Sequence, residues 1–517
     1  MKKLSYIILA AVGLMLSCKK STLNLVPETS LSSASFFKNE AEFQQALVSS
    51  YTNLRGIAFM GAYMDEMRSD NTFFTYYAPD RGTGTNTEAM IEFLDNPESS
   101  QEVNSPGNRW GNDYSGISKV NTILTRLPQS NLSQGAKDSI SGEAQFLRAF
   151  YYYDLATHYG GVPLQLTEVT DVSGAFLPRA SLADTYTQII SDVTAAIQHL
   201  PVATTFPQSG RATQGAAKVL LAYACMQGPT KDYGKAESAL TDVTKMNYAL
   251  LPNYADVFDP ANKNSKESIF EVQYKEGNDG QQSDFAWRFI PRTSNSEVIL
   301  GLHGSNSNGG LSSGGWNVPT QEMVNSYESG DLRLPASISV AEGTVTNGIM
   351  QIADVKSPVG FTPTAGLDHY YFVKKYNHPP YPVNVPFNTD DDWPVYRYSG
   401  SLLLLAECLV DENKADQALP YLNQVRARAG LPAVGTATTA NVANEMRHEL
   451  AFENHRWTDL IRYGTAVEVL NAKGTAMKAL NGWLLPQSFN VTPDRLIYPI
   501  PLREIQINSK LTQNPGY

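Results

Sequence analysis

The chain has little with which to brace itself covalently. Only three cysteines occur in 517 residues, Cys18, Cys225 and Cys408. The last two sit inside apolar helical patterns, so no disulfide framework is available and stability must come from a packed core. Basic charge is scarce as well: 40 Lys and Arg stand against 51 Asp and Glu, for a net charge of −11. That balance argues against nucleic acid as the partner, because a phosphate backbone demands a basic stripe. Beyond the N-terminus no run of eighteen uninterrupted apolar residues occurs, so the body carries no candidate spanning helix. Catalytic signatures are missing too. His448-Glu449 opens like the H-E-x-x-H of a zinc protease, but position 452 is Phe, which removes the second ligand and leaves a Glu- and Arg-rich helix better read as buried ion pairs. No phosphate-binding glycine loop is present, and no paired-carboxylate pattern argues for glycoside hydrolysis.

What the chain does have begins at its first residues. Lys2 and Lys3 precede an apolar stretch, Leu4 to Leu16, which is too short to span a bilayer and reads as a signal peptide. It ends in Leu14-Met15-Leu16-Ser17-Cys18, which resembles a lipobox. Residues 1–17 are therefore expected to be removed and Cys18 to be lipidated, each buried acyl methylene contributing ~0.8 kcal/mol of membrane affinity. Removal of Lys2 and Lys3 takes the net charge from −11 to −13. Residues 18–35, polar and broken by Pro27, read as a tether.

Helical periodicity starts next. Phe36, Phe43, Leu47, Tyr51 and Leu54 share one helix face, and comparable stripes recur over 113–127, 141–158, 184–200, 213–227, 233–245, 395–410, 415–429, 441–462 and 465–480. Two helix pairs, Lys218–Gln227 with Tyr233–Leu240 and Leu402–Val410 with Lys414–Leu422, carry small Ala at close-contact positions and Leu in the seam. Such pairs resemble tetratricopeptide units, which stack into scaffolds that carry binding. The fold class is therefore mainly α, with a helical scaffold over 36–68, 112–246 and 395–480. Residues 69–111 and 247–394 have another texture, rich in Gly, Ser, Asn and Pro with short strand-like pieces such as Ser268–Tyr274, and loops this long are usually functional.

Several motifs, in order, resemble the SusD/RagB family of Bacteroidetes outer-membrane lipoproteins. They include Trp110-x3-Tyr114, Gly142-Glu143-Ala144-Gln145-Phe146-Leu147-Arg148-Ala149 running into Tyr159-Gly160-Gly161-Val162-Pro163, and Arg211-Ala212-Thr213. The C-terminal half adds Pro319-Thr320-x-Glu322, Arg397-Tyr398, Leu422-Asn423-x-Val425-Arg426-x-Arg428-Ala429-Gly430, Glu449-Leu450-Ala451-Phe452-Glu453-x2-Arg456-Trp457 and the closing Gln513-Asn514-Pro515-Gly516-Tyr517. The resemblance implies one domain, 36–517, built on about four tetratricopeptide-like helix pairs with a variable, partly β region that carries the ligand site. It also implies a surface lipoprotein facing the cell exterior, without enzymatic activity or cofactor. Such a protein would capture oligosaccharides, or in some members peptides, for a SusC-like TonB-dependent transporter. Two departures stand out: Gly400 occupies a place where the family usually has Glu, and Lys19-Lys20-Ser21 lacks the acidic pair of many surface-exported lipoproteins.

Glycans are bound by aromatic faces on sugar C–H surfaces and by polar side chains on hydroxyls. Twenty-seven tyrosines suit such a surface. Trp110, Trp393 and Trp457 fall in helical motifs or at a helix start and read as packing residues. The platform candidates are Trp287, Trp316, Trp483, Phe73, Phe74, Tyr76 and Tyr77, which lie in polar or Gly- and Asn-rich surroundings. Their polar partners would be Asp70, Asn71, Asp80, Arg288 and Asn317. Asp390-Asp391-Asp392 reads as a solvated turn, with a structural calcium ion as the alternative, although the spacing of a calcium loop is lacking. The favoured function is a non-catalytic glycan carrier. A peptide-binding carrier, a scaffold whose only partner is the transporter, and a helical glycoside hydrolase are the competing readings.

Overall fold

Ser, Thr, Asp and Asn open most of the long helices, because their side-chain oxygens can accept from the N–H groups that a first turn leaves unbonded. The computed structural model describes residues 36–78, 86–101, 105–301, 314–379, 381 and 387–517; the signal peptide, Cys18, the tether and Asp80 lie outside them. Asn39 caps α1 (Glu40–Tyr51), which runs into α2 (Asn53–Gly61). α3 (Pro106–Arg126) starts with proline at its first position and Ser105 N donating to Asn108 Oδ1 at 3.2 Å, six residues before the scaffold boundary expected at 112. Ser133, Ser181, Thr213 and Asp232 then cap α4 (Gln134–Tyr159), α5 (Leu182–His199), α6 (Gln214–Gln227) and α7 (Tyr233–Thr244).

These helices pack in series, α3 on α4, α4 on α5, α5 on α6 and α6 on α7. Close approach of α3 to α4 depends on Gly116, where a Cβ would lie 2.4 Å from the Tyr151 ring. The next helix in the stack is α8 (Tyr398–Asp411), which packs on α7 and on α9 (Ala415–Arg428) and α10 (Thr439–Glu449). The whole stretch between residues 244 and 398 is thus inserted between two helices that are neighbours in the stack. The single stripe expected over 441–462 is two helices, α10 and α11 (Arg456–Arg462). Phe452 and Asn454 between them have positive φ of 66°, and the break lets Asn454 N donate to Glu66 Oε2 at 3.0 Å. α12 (Ala466–Leu480) follows.

Among the described residues the strands form three small antiparallel sheets. β1 (Thr72–Phe73) pairs with β3 (Val318–Pro319), and β2 (Ser268–Val272) with β7 (Trp393–Arg397). The third sheet has the order β5 (Ile349–Lys356), β4 (Ile338–Thr346), β6 (Asp368–Val373). Asn347-Gly348 joins β4 to β5 with positive φ at both residues, 52° and 75°, the signature of a two-residue hairpin turn. Cys225 and Cys408 are free and buried.

The helix that begins at Thr439 does carry buried ion pairs. Arg397, at the start of α8, donates from Nε to Glu453 Oε2 at 2.7 Å, from Nη1 to Glu267 Oε1 and Glu449 Oε1 at 2.9 Å each, and from Nη2 to Glu449 O at 2.7 Å. Lys375 reaches the other oxygen of Glu453 at 2.8 Å, and Arg333 pairs with Asp331 at 2.8 Å and Glu445 at 2.6 Å. The inserted region and the helical stack are locked together through these charges. Gly400 faces Leu450, whose side chain would lie 3.3 Å from an added Cβ, so this site is an apolar contact and Arg397 is satisfied without a glutamate there. Arg397→Met leaves three buried carboxylates without their shared cation and is expected to cost about 3–5 kcal/mol, measured by denaturant unfolding; a loss under 1 kcal/mol would contradict the network's role.

Candidate ligand cleft

After α2 the chain widens into one π-helical turn, Ala62–Glu66, and then leaves helical geometry. Side chains from far along the sequence fix the backbone path beyond that turn. Glu66 accepts from Asn71 Nδ2 at 2.8 Å as well as from Asn454 N. Asp70 receives Arg456 through Nε at 2.7 Å and Nη2 at 2.9 Å, and Arg447 lies 3.1 Å away. Burial raises the Asp70 pKa, but the two guanidinium groups outweigh it and hold the carboxyl well below the usual range. Asn71 accepts from Arg447 Nε at 2.8 Å. Lys473 on α12 sends its Nζ to the carbonyls of Met67, Ser69 and Thr72. Burial pushes its pKa down to about 7 against the pull of Asp70 and Glu66, while three carbonyl oxygens aimed at the nitrogen favour the ammonium form.

This anchored segment delivers an aromatic cluster. The Phe73 ring stacks with Trp483 at 6.0 Å and 18°, and Trp483 stacks with Tyr76 at 4.6 Å and 21°. Phe74 touches both Trp483, at 5.6 Å, and Trp316, at 5.9 Å. Phe73 and Phe74 are buried, Trp483 is half-buried and Tyr76 is 37% exposed. Beside them lies a cleft of about 950 Å³, within the size range of small-molecule sites. α12 contributes Val469, Ala472, Ala476 and Leu480, the last 77% exposed. β6 contributes His369, Tyr370 and Tyr371, and the Tyr371 hydroxyl donates to Gln321 Oε1 at 3.3 Å. Asp70, Glu322, Glu468, Arg447, Arg456 and Lys473 supply its charged lining.

Of the residues expected at the site, Phe73, Phe74, Tyr76, Trp483 and Asp70 line this cleft. Trp316 packs behind it, with its ring edge on Tyr63 at 5.1 Å. The others are elsewhere or already engaged. Trp287 is fully buried in a separate small core with Tyr381 and Phe387, so it has no face to offer. Tyr77 lies under the Arg292 guanidinium at 3.6 Å. Arg288 is held by Asp284 at 2.7 Å and Tyr63 at 3.1 Å, over the Phe59 ring. Asn71 and Asn317 are buried, Asn71 between Glu66 and Arg447 and Asn317 in a positive-φ turn. Trp110, Trp393 and Trp457 are core residues as expected. The acidic triplet is not a solvated turn: Asp391 is buried and the half-buried Asp392 keeps only 4% of its side chain exposed. His378 meets Asp391 at 2.7 Å, and Lys263 lies between Asp390 and Asp392 at 2.8 and 3.3 Å, supplying the positive charge a cation would bring. Among the described residues no group of three or more His, Cys, Asp or Glu is arranged to hold a metal.

The lining that sequence reasoning missed is His369 to Tyr371, the exposed edge of α12, and the Arg447–Arg456 pair. The first carried a legible signal, since Asp368-His369-Tyr370-Tyr371-Phe372-Val373 is an aromatic-rich strand pattern.

Residues 266–517 match the model of the SusD family, and residues 27–224 match a family described as starch-binding and associating with the outer membrane. Together the two matches leave only 1–26 and 225–265 uncovered. The chain belongs to the SusD-like family. A SusD-like protein, P38, of Formosa agariphila is 27% identical over 99% of this chain and 98% of its own. A laminarin-binding SusD-like protein has the same fold, with a TM-score of 0.73 and 26% identity over 93% of this chain and all of that one. Surface glycan-binding protein A of Bacteroides thetaiotaomicron, in complex with laminarihexaose, superposes with a TM-score of 0.69 at 21% identity, covering 91% of this chain and 98% of that one. Among the described residues no helix of this SusD-like chain is long and apolar enough to cross a membrane.

A histidine beside the cleft sets an acid limit on the fold. His448 is buried and lies among Arg333, Arg447, Arg456 and Arg426, so burial and these cations push it down to about 3. The unfolded chain protonates it near pH 6.5 and the folded chain does not, so the unfolded state binds the extra proton and stability falls as pH drops from about 6.5 toward 3. Its Nε2 lies 2.9 Å from Ser326 Oγ, a contact glutamine can keep. His448→Gln is expected to flatten the loss of stability over that window, by up to about 1.4 kcal/mol per pH unit, in denaturant titrations at several pH values. An unchanged slope would contradict this assignment.

Proposed function

We propose that the mature chain is a non-catalytic glycan-binding lipoprotein that captures an oligosaccharide in this cleft for a SusC-like TonB-dependent transporter. The observation that carries the reading is the Trp483–Tyr76 stack, an aromatic surface partly open to solvent on a cleft of about 950 Å³. Such a surface fits the C–H faces of sugar rings, and Gln321, Glu322, Arg447 and His369 offer donors and acceptors for hydroxyls. Two structurally similar proteins are described as binding laminarin or laminarihexaose, which supports a glycan over a peptide.

Turnover is disfavoured by the state of the carboxylates. A glycosidase needs a general acid with a raised pKa, whereas two of the three carboxylates on this cleft are engaged by arginines, Asp70, held low by Arg447 and Arg456, and Glu322, paired with Arg447. Lipidation at Cys18 would tether the protein to the outer membrane, and the polar stretch to residue 35 would carry the domain outward. Transfer to a SusC-like partner rests on the family resemblance.

The test uses the soluble chain lacking residues 1–18, in affinity electrophoresis and calorimetry against laminarin, starch and a panel of plant, fungal and host polysaccharides. Binding to one class without hydrolysis is expected. Trp483→Ala should weaken it at least about tenfold, about 1.4 kcal/mol, with the unfolding midpoint nearly unchanged, whereas Trp287→Ala should lower stability by about 3–5 kcal/mol. Failure to bind any glycan would overturn the reading and favour a peptide carrier.

A further inference from the structure

Lysine is among the residues least often fully buried, and when buried it normally faces a carboxylate. Lys473 breaks that pattern. It is 8% exposed and, among the described residues, no carboxylate pairs with it directly; Asp70 and Glu66 act on it only at longer range. Its three donors go instead to three backbone carbonyls of one short segment: Met67 O at 3.0 Å, Thr72 O at 2.8 Å, and Ser69 O. An ammonium has three tetrahedrally disposed hydrogens, and here each has its own acceptor. The same nitrogen lies 5.4 Å from the Phe73 and Phe489 ring centroids.

Those carbonyls precede or lie within β1, whose second residue, Phe73, stacks with Trp483, which in turn stacks with Tyr76. A buried apolar side chain would suit packing at lower desolvation cost, so what a lysine adds at this position is direction. It pulls three carbonyls of residues 67–72 toward one point on α12. We propose that Lys473 is the positioning residue of the cleft, an ammonium clamp that turns the 67–72 backbone so that Phe73 and Tyr76 meet Trp483 in register. Arginine would not replace it, because a planar fork cannot meet three converging carbonyls from one centre. This inference deepens the proposed glycan reading and rests on it for its consequence in binding, but the clamp itself is testable without any glycan.

The experiment compares the soluble chain lacking residues 1–18 with Lys473→Met and Lys473→Arg by amide hydrogen exchange and by laminarihexaose calorimetry. Exchange in residues 67–76 is expected to rise at least tenfold in both variants while α4 and α6 keep their protection. Affinity for laminarihexaose, where the parent chain binds it, should fall at least tenfold in both. Unchanged exchange over 67–76 in Lys473→Met would overturn the clamp. So would a loss of protection spread evenly over the scaffold, which would make Lys473 a general stabiliser, and so would full recovery of protection by arginine. If the parent chain binds no glycan, the function proposed above fails, and the local exchange result still decides the clamp.

Discussion

The cleft depends on one constraint: a short non-helical stretch near the N-terminus, residues 67–76, is given its shape by side chains almost four hundred residues away. Arg447 and Arg456 converge on Asp70 and Lys473 collects three carbonyls, while the backbone N–H of Asn454 secures Glu66 just before the stretch. None of these is a hydrophobic contact. Burial of apolar surface is non-directional, and it would bring the N- and C-terminal helices together without choosing the backbone path between them. Charged donors set that path because each unmet partner would be left desolvated.

The same anchoring explains why the aromatic cluster is stable while half open. Phe73 and Phe74 are inside, Trp483 and Tyr76 are at the boundary, and the segment is tied again by the β1–β3 pairing to the inserted region. The inserted region is in turn locked to α8 and α10 through Arg397, Arg333 and Lys375. A surface that must meet successive sugar rings in fixed register gains from such preorganisation, since little ordering remains to oppose binding.

Much of the scaffold was legible in the sequence because its cause is local. Apolar stripes at helical spacing over 141–158, 184–200 and 213–227 locate α4, α5 and α6, with only the first turns of α4 missed, whereas the caps Ser133, Ser181 and Thr213 and the Asn347-Gly348 turn are local signals that the stripes alone do not use. The break at Phe452 to Asn454 was hidden, because the periodicity continues across it while the reason for it, Glu66, is remote. The site was half legible. Phe73, Phe74, Tyr76 and Trp483 could be found as loop aromatics, but Trp287 has the same kind of neighbours in sequence and is fully buried. Only tertiary packing separates the two cases. Arg447, Arg456 and Lys473 look like ordinary helical charges until the fold turns them toward residues 67–72.

The most direct measurement is a crystal structure of the soluble chain lacking residues 1–18, bound to the oligosaccharide that binds it best in calorimetry. A sugar ring lying on Tyr76 and Trp483, with hydroxyls toward Gln321 and Arg447, is the predicted result. A sugar bound elsewhere, with the Tyr76–Trp483 surface bare, would contradict the account.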